Sequence, residues 1–322
     1  MTPATAVGVD VGGTKILGSL VDREGTVIAE HRVPTPPGGE QILDAVAEVA
    51  AQLAARADCR PIGVGVGCPG LLDRAGTLRF APNLPNVVGL DVLGGVRKRV
   101  EEIYPEFAVV VDNDANCAVA AEHSFGAARG TFEALVVTLG TGIGGGVIVR
   151  GSLFRGANNF AGEIGHMVID PNGRPCPCGK RGCWERYASG SGLGRTARDA
   201  ALAGRAQRVV ELAGGDPELV RGEHVVLAAG EGDEQAAVIF EQVAYWLALG
   251  LANLANLLDP EIIVLGGGLV EAGEVLVRPT RKAFVELVEA AEHRPAVPIV
   301  RAELGELAGA IGAAAIVLEP PE

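Results

Sequence analysis

The sequence predicts an α/β fold made of two lobes, on three observations. At 322 residues the chain is longer than one compact α/β domain usually is. Short buried strands alternate with amphipathic helices along most of the chain. Finally, the glycine-hinged stretch VGVDVGGTKILGSLV, which begins at residue 7, is echoed by LVVTLGTGIGGGVIV, which begins at residue 135. Such internal similarity indicates a structural duplication, with one copy in each lobe.

The first part of the chain predicts a three-stranded meander followed by alternating helices and strands. Residues 6–33 contain three apolar runs separated by turn residues, a pattern typical of antiparallel hairpins. Apolar residues at helical spacing predict a helix over 42–57, and a continuous apolar run predicts a buried strand over 62–67. The other predicted elements of this part are a helix over 90–103, a strand over 107–111 and a helix over 115–125.

The second part repeats this layout. It predicts strands over 134–139, 144–149, 262–265 and 297–300, mainly helices from 185 to about 257, a helix before the last strand, and a final helix from 306. We expect the final helix to pack on the first lobe, because the chain ends too soon to form a third domain. The predicted small lobe therefore spans 1–114 and is completed by 306–322, and the predicted large lobe spans 115–305, with a cysteine-rich loop over 162–187.

Composition limits the partners and the compartment. The net charge of -13 argues against nucleic acid or an anionic membrane as the main partner. Three of the six cysteines lie in one loop, which does not resemble a disulfide framework and favours a reducing compartment. The N-terminus lacks an export signal. The most apolar window, 243–258, falls short of the roughly 20 residues that a membrane span needs, so it predicts a buried helix. We therefore expect a cytoplasmic protein.

Three glycine clusters follow predicted strands: DVGGTK from residue 10, GTGIGGG from residue 140 and LGGGL from residue 265. Backbone N–H groups in such turns bind anions, so two of them can hold a polyphosphate from both sides. The third cluster precedes a helix and leaves room for a flat base. The first turn alone is equally consistent with an ordinary hairpin, since it matches neither a dinucleotide fingerprint nor a Walker A loop. Together the clusters predict a nucleotide site in a cleft between the lobes. The candidate residues are Asp10, Gly12, Gly13, Thr14, Lys15, Gly140, Thr141, Gly142, Gly266, Gly267 and Gly268.

A polar segment lies where the strand over 107–111 meets the next helix, and it supplies the candidate catalytic residue. Its side chains can simply cap the helix, an alternative that applies most strongly to Asp112 and Asn116. Asp114 follows the carboxyl end of the strand, where a carboxylate facing a nucleotide suits a general base for phosphoryl transfer. We expect Asn113 to hydrogen-bond a sugar and to orient the attacking hydroxyl.

Further candidates for sugar binding come from two loops. Glu163, His166 and Glu185 offer acceptors and a donor for the remaining hydroxyls of a polyol, and a neutral sugar suits a carboxylate-rich pocket. Asn83 in the rigid stretch PNLP is a further candidate, although a plain turn residue explains it equally well.

The loop over 162–187 also predicts a metal site. It contains His166, Cys176, Cys178 and Cys183, and structural zinc typically takes four nitrogen or sulfur ligands. The cysteine spacing differs from the common knuckle with two intervening residues, so spacing alone supports zinc only moderately. Three cysteines within eight residues beside a histidine nevertheless favour a zinc-pinned loop that holds the two glutamates.

In this order, the motifs resemble the ROK family (repressors, open reading frames and kinases). They are DVGGTK at 10–15, GCPGLLD at 67–73, NDAN at 113–116, LGTGIGGG at 139–146, the cysteine loop, and LGGGL at 265–269. The resemblance covers essentially the whole chain, and GCWERYASG looks most like the bacterial glucokinases of that family. It implies an actin-like ATPase (ribonuclease H-like) fold with two α/β lobes hinged over a central cleft.

The resemblance also implies an activity. It indicates transfer of the γ-phosphoryl group of ATP to the 6-hydroxyl of glucose, with Asp114 as general base, Asp10 near Mg²⁺, and a structural Zn²⁺ on the four loop ligands. His166 would then serve both metal and substrate. The partners would be a sugar and a nucleotide, with a homodimer or homotetramer as the common assembly.

Several alternatives remain open at the level of sequence. The acceptor could be mannose, fructose or N-acetylmannosamine, and the donor could be inorganic polyphosphate. A non-catalytic sugar sensor with the same pocket is the rival from another class. A DNA-binding regulator is disfavoured by the charge and by the position of Asp10, which leaves no room for a preceding helix-turn-helix.

Overall fold

The computed structural model describes residues 4–81, 84 and 86–319. Within this part of the chain the strands are β1 (Thr5–Val11), β2 (Lys15–Asp22), β3 (Val27–Pro34), β4 (Gly63–Cys68), β5 (Leu71–Leu72), β6 (Leu78–Phe80), β7 (Ala108–Asn113), β8 (Ala134–Leu139), β9 (Ile143–Val149), β10 (Ser152–Leu153), β11 (Ile262–Gly266) and β12 (Ile299–Arg301). The α-helices are α1 (Gly39–Ala54), α2 (Val92–Ile103), α3 (Asp114–Ser124), α4 (Glu185–Ala188), α5 (Gly190–Leu202), α6 (Gln207–Leu212), α7 (Gly222–Gly230), α8 (Glu234–Leu258), α9 (Glu274–Leu287) and α10 (Ala308–Leu318). Short 3-10 helices lie at Ile164–His166, Pro217–Leu219, Gly268–Ala272 and Gly305–Leu307.

Two five-stranded sheets share one topology. The first has the order β3-β2-β1-β4-β7, and the second has the order β10-β9-β8-β11-β12. In the first sheet β1 to β3 form an antiparallel meander, while β4 and β7 lie parallel to β1. In the second sheet β10 pairs antiparallel with β9, and β12 pairs parallel with β11. The repeated strand order agrees with the duplication predicted from the two glycine-hinged hairpins. The expectation of one copy in each lobe is not met, because residues 137–144 and 145–149 of the second hairpin fall in different compact units.

Helix α10 packs against α3 and across β1 and β4, as expected for a last helix that returns to the first sheet. Its sequence, AGAIGAAAIVL, is buried along its whole length. Glycines permit this close approach: a Cβ on Gly8 would collide with the carbonyl oxygen of Ala310, and one on Gly65 would collide with that of Ala313. The small residues therefore bring a helix backbone directly onto the two strands that end at the candidate site.

The described chain forms two compact units. The first contains the described residues within 1–136, 145–162 and 302–322, and the second contains 137–144 and 163–301. The lobe boundary predicted after residue 114 would place α3 in the second lobe. In the structure α3 belongs to the first unit, because its small, buried residues pack on α10. The segment 145–162 likewise lies with the first unit.

Helix α8 is longer than the apolar window noted in the sequence. In the described part of the chain, it is the one helix that is long and apolar enough to cross a membrane by length and composition. That is weak evidence for a span, because core helices pass the same test. Here α8 packs against α9, α5 and α7, and 56% of its most apolar window is buried.

Candidate functional site

In the first unit, β1 leads into the exposed glycine turn of the DVGGTK motif. The turn is closed by the N–H of Gly12, which donates to the carbonyl of Lys15 over 2.9 Å, and Thr35 Oγ1 donates to the Gly12 carbonyl over 2.6 Å. Gly13 and Thr14 are exposed, so their backbone is open to a ligand. The Lys15 ammonium forms an ion pair of 2.9 Å with Glu306. Lys15 is therefore paired with the carboxylate of Glu306, just before α10, and this partner could not be predicted from the sequence.

Asp10, the last polar residue of β1 before this turn, carries a strongly shifted pKa. It pairs in register with Gly67 of β4 and with Leu17 of β2. Burial, reinforced by the negative charge of Asp114, raises the pKa of Asp10 to about 7, and the positive charge of Lys15 opposes this shift. The structure therefore brings two of the predicted site residues, Asp10 and Asp114, close enough for their charges to interact.

Asn113 caps α3, a role that the sequence analysis considered for its neighbours. Its Oδ1 accepts from the N–H groups of Ala115 and Asn116 over 2.9 and 3.1 Å, which satisfies two N–H groups of the first helical turn. Its Nδ2 donates to the carbonyl of Gly70 over 3.0 Å. An amide nitrogen has two N–H groups, and this bond uses one of them.

Asp114 is the first residue of α3. Its Oδ1 accepts from the N–H of Ala115 over 2.8 Å, which fixes the orientation of the carboxylate. Burial raises the pKa of Asp114, and the backbone hydrogen bonds partly offset that effect. A raised pKa next to the carboxyl end of β7 is compatible with the proton-accepting role predicted for Asp114.

The alternative that Asp112 and Asn116 merely cap the helix does not hold in the structure, where Asn113 is the cap. Asp112 is 3% exposed, and its Oδ2 accepts from Nε of Arg155 over 2.7 Å. Its Oδ1 accepts from Nδ2 of Asn116 and from the N–H of Asn113, both over 2.8 Å. This buried ion pair fixes the strand end that precedes the candidate base. Arg155 was missed in the sequence, where nothing distinguishes it from other loop arginines.

In the second unit, the four predicted metal ligands converge. The ligand atoms of His166, Cys176, Cys178 and Cys183 all lie within 4.8 Å of one another. The sulfurs of Cys178 and Cys183 are 3.6 Å apart, and the sulfur of Cys176 lies 3.8 Å from Nδ1 of His166. Tetrahedral zinc with bonds of about 2.0 to 2.3 Å places its ligands roughly 3.3 to 3.8 Å apart, so the donor set and its spacing fit this metal.

The cysteine loop contacts the two glutamates that are predicted to bind the sugar. The sulfur of Cys176 lies 3.3 Å from Oε1 of Glu185, the first residue of α4. His166 presents its other nitrogen, Nε2, 4.0 Å from Oε2 of Glu163. The two ring nitrogens therefore face different groups, Nδ1 towards the cysteines and Nε2 towards a carboxylate. This geometry suits a histidine that binds a metal on one side and a substrate on the other.

The glycine turn at residues 140–142 lies against the same glutamate. A Cβ on Gly142 would come within 2.6 Å of Oε2 of Glu185, so this position has no room for a side chain. The turn is tied to the start of α5, since Gly190 donates to the carbonyl of Gly140 over 2.9 Å. Thr141 is exposed beside it.

The third glycine cluster ends β11 and also needs glycine. Gly267 has φ +85°, and a Cβ there would collide with the backbone of Leu139. Gly267 and Gly268 are exposed, and Gly268 begins a 3-10 helix, while Gly266 is buried. The remaining predicted contact, Asn83, lies outside the described residues.

Comparisons with known proteins agree with these features. A profile described as the ROK family matches residues 6–320. The chain is 39% identical to a glucokinase of Streptomyces coelicolor over 98% of both chains, and 36% identical to a glucokinase of Thermotoga maritima over 97% of both. Among solved structures, the ROK family glucokinase of Streptomyces griseus in complex with glucose and AMPPNP matches with a TM-score of 0.83 and 38% identity, over 97% of this chain and 98% of that one.

Proposed function

The chain belongs to the ROK family, and we therefore propose that it is an ATP-dependent glucokinase, which transfers the γ-phosphoryl group of ATP to the 6-hydroxyl of glucose. The observation that carries this proposal is the similarity to glucokinases over nearly the whole length of both chains. The half-buried carboxylate of Asp114, at the first position of α3, supports it independently. The fold is that of the actin-like ATPases, as in the matching sugar kinases.

In the proposed reaction, Asp114 accepts the proton of the attacking hydroxyl. Its Oδ1 is held by the N–H of Ala115, which restricts rotation of the carboxylate, and the other oxygen would accept the proton. Because burial raises its pKa, the ionised carboxylate is a stronger base than an exposed aspartate. Asn113, which precedes Asp114, is fixed by its bond to the Gly70 carbonyl and would donate its remaining side-chain N–H to the sugar.

The nucleotide is proposed to lie on the three glycine turns. Gly12, Gly13 and Thr14 offer an exposed, side-chain-poor turn for phosphates, and Thr141 and the 266–268 glycines complete the contacts. Asp10 would lie near Mg²⁺, which would neutralise phosphate charge when bound with ATP. Because the pKa of unliganded Asp10 is about 7, a bound cation would favour its ionised form.

Glu163, His166 and Glu185 are proposed to hold the remaining hydroxyls of glucose. Zn²⁺ would be held by His166 Nδ1 and the three cysteine sulfurs, and its contribution would be structural, because all four coordination positions are filled by protein. The metal would then keep Glu185 in place through the backbone, because the proposed ligand Cys183 lies only two residues before it.

The experiment is ATP consumption by the purified protein with glucose, mannose, fructose and N-acetylmannosamine, with polyphosphate as a second donor. We expect turnover concentrated on glucose and ATP. Preference for another hexose would retain the mechanism and overturn the proposed role of the two glutamates in selecting glucose. If no sugar supports turnover with either donor while glucose still binds, the protein is a sensor and the proposal fails.

A further inference from the structure

Four arginines form a cluster beside the cysteine loop: Arg174, Arg186, Arg195 and Arg198. Arg195 and Arg198 lie one turn apart on α5, and Nη2 of Arg195 donates to the carbonyl of Arg186 over 3.1 Å. Nη2 of Arg174 donates to Asp199, also on α5, over 2.6 Å. All four belong to the second unit, and none is among the residues proposed to bind sugar, nucleotide or zinc.

This arginine cluster lacks matching negative charge. Within the described part of the chain, Arg186, Arg195 and Arg198 have no carboxylate within ion-pair distance, and the one ion pair of the cluster joins Arg174 to Asp199. The side chain of Asp199 is 66% exposed, so water weakens that pair. Two other acidic groups face the cluster: Glu185, which interacts electrostatically with Arg195, and Asp170, which accepts from the hydroxyl of Tyr187 beneath Arg174.

Several donors of the cluster are also buried without an acceptor. Nη1 of Arg174, Nε of Arg186 and Nε of Arg195 have no hydrogen-bond partner among the described residues. Burial, and then repulsion from Arg186, Arg174 and Arg198, lowers the pKa of Arg195 to about 10. Desolvated guanidinium N–H groups without acceptors are costly, so their persistence in a native fold calls for an explanation.

We propose that the arginine cluster is a binding site for a phosphoryl oxyanion, either inorganic phosphate or a phosphate monoester. The unpartnered donors belong to a loop and to two helices, α4 and α5. A tetrahedral oxyanion offers acceptors in several directions, whereas a planar carboxylate is satisfied by a single guanidinium fork. A dianion would also offset the repulsion among the arginines. If the ligand is a sugar phosphate, the site would bind the kind of product that the proposed kinase forms. This identification of the ligand rests on the proposed function, whereas the binding of a phosphoryl group does not.

The test is thermal unfolding of the protein with saturating glucose, AMPPNP and Mg²⁺, which occupy the proposed acceptor and donor sites. Inorganic phosphate and glucose 6-phosphate are added separately, against chloride at equal ionic strength. We expect a saturable rise in Tm for at least one of them, as for any ligand that binds only the folded state. A larger rise with one compound identifies the source of the phosphoryl group. No rise beyond that of chloride with either compound would overturn the proposal.

Variants distinguish this site from binding elsewhere. Arg195→Gln should weaken the phosphate response at least about tenfold, the loss expected for a charged hydrogen-bonding group. It should fold normally, since it removes a repelled charge. Arg186→Gln provides a second variant with the same expectation. Arg205→Gln, an exposed arginine just beyond α5, is the matched control and should respond like the wild type. Equal responses in all these proteins would contradict the assignment, whatever the outcome of the kinase assay.

Discussion

The buried ion pair between Arg155 and Asp112 should matter both for stability and for turnover. Arg155→Gln leaves the carboxylate of Asp112, whose side chain is 4% exposed, with only the neutral donors of Asn116 and Asn113. Breaking a buried pair by removing one partner costs roughly 3 to 5 kcal/mol. Because the Arg155 side chain is itself 23% exposed, we expect the lower end of that range, about 3 kcal/mol.

A matched control lies on the surface of the same unit. Arg99 also contacts carboxylates at short range, 2.6 Å to Asp44 and 2.7 Å to Glu40, but their side chains are 65% and 75% exposed. Arg99→Gln should therefore cost less than about 1 kcal/mol. The comparison isolates burial of the carboxylate, because both variants remove the same guanidinium.

The assay is urea unfolding followed by circular dichroism, with kcat and KM for glucose measured in parallel. Since Asp112 directly precedes Asn113 and Asp114, we expect kcat to fall in Arg155→Gln more than KM rises. The double variant with Asp112→Asn should be less destabilised than the sum of the two single changes, because it removes the orphaned charge. If Arg155→Gln matches Arg99→Gln in both stability and kcat, the pair does not position the base.

Three further predictions concern the site itself. Asp114→Asn should lower kcat at least ~10²–10⁴-fold, as for loss of a general base, while calorimetry shows unchanged glucose affinity; near-wild-type turnover would remove Asp114 from this role. Cys178→Ser should lose bound zinc by elemental analysis and bind glucose more weakly, whereas Cys59→Ser, at an exposed cysteine, should change neither. Tight glucose binding in zinc-free Cys178→Ser protein would separate the metal from the sugar site. Without nucleotide or Mg²⁺, stability should fall as pH rises from about 4 to about 7, because folded Asp10 keeps its proton over a range in which unfolded Asp10 ionises. Urea unfolding at several pH values should show a flatter profile in Asp10→Asn, and identical profiles would exclude Asp10 as the source.

The order of elements could be predicted because it depends on local patterns. The meander β1 to β3, the buried strands β4, β7, β8, β9 and β11, and helices α1 to α3 agree with predictions made from apolar periodicity and turn residues. Strands β5, β6 and β10 were missed, since two or three residues carry no periodicity. The assignment of α3 to the first unit depends on its packing against α10, a contact between segments nearly 200 residues apart that local patterns do not encode.

The site was predictable in its ligands and less so in its supporting contacts. The cysteine loop can be recognised from its residue types alone, and the structure brings its four ligand atoms together. By contrast, Arg155 and Glu306 reach their partners across 43 and 291 positions of sequence. Neither lies in a motif, so only the folded chain reveals that Asp112 and Lys15 are already paired. The capping role of Asn113 was also missed, because adjacent polar residues offer several equivalent caps.

The most direct test of the central claim is phosphorus NMR of the protein incubated with ATP, Mg²⁺ and glucose. The account predicts loss of the γ-phosphorus signal of ATP and matching growth of the signals of ADP and glucose 6-phosphate, with both changes much slower in Asp114→Asn. An unchanged ATP spectrum, or release of inorganic phosphate without a sugar phosphate, would contradict it.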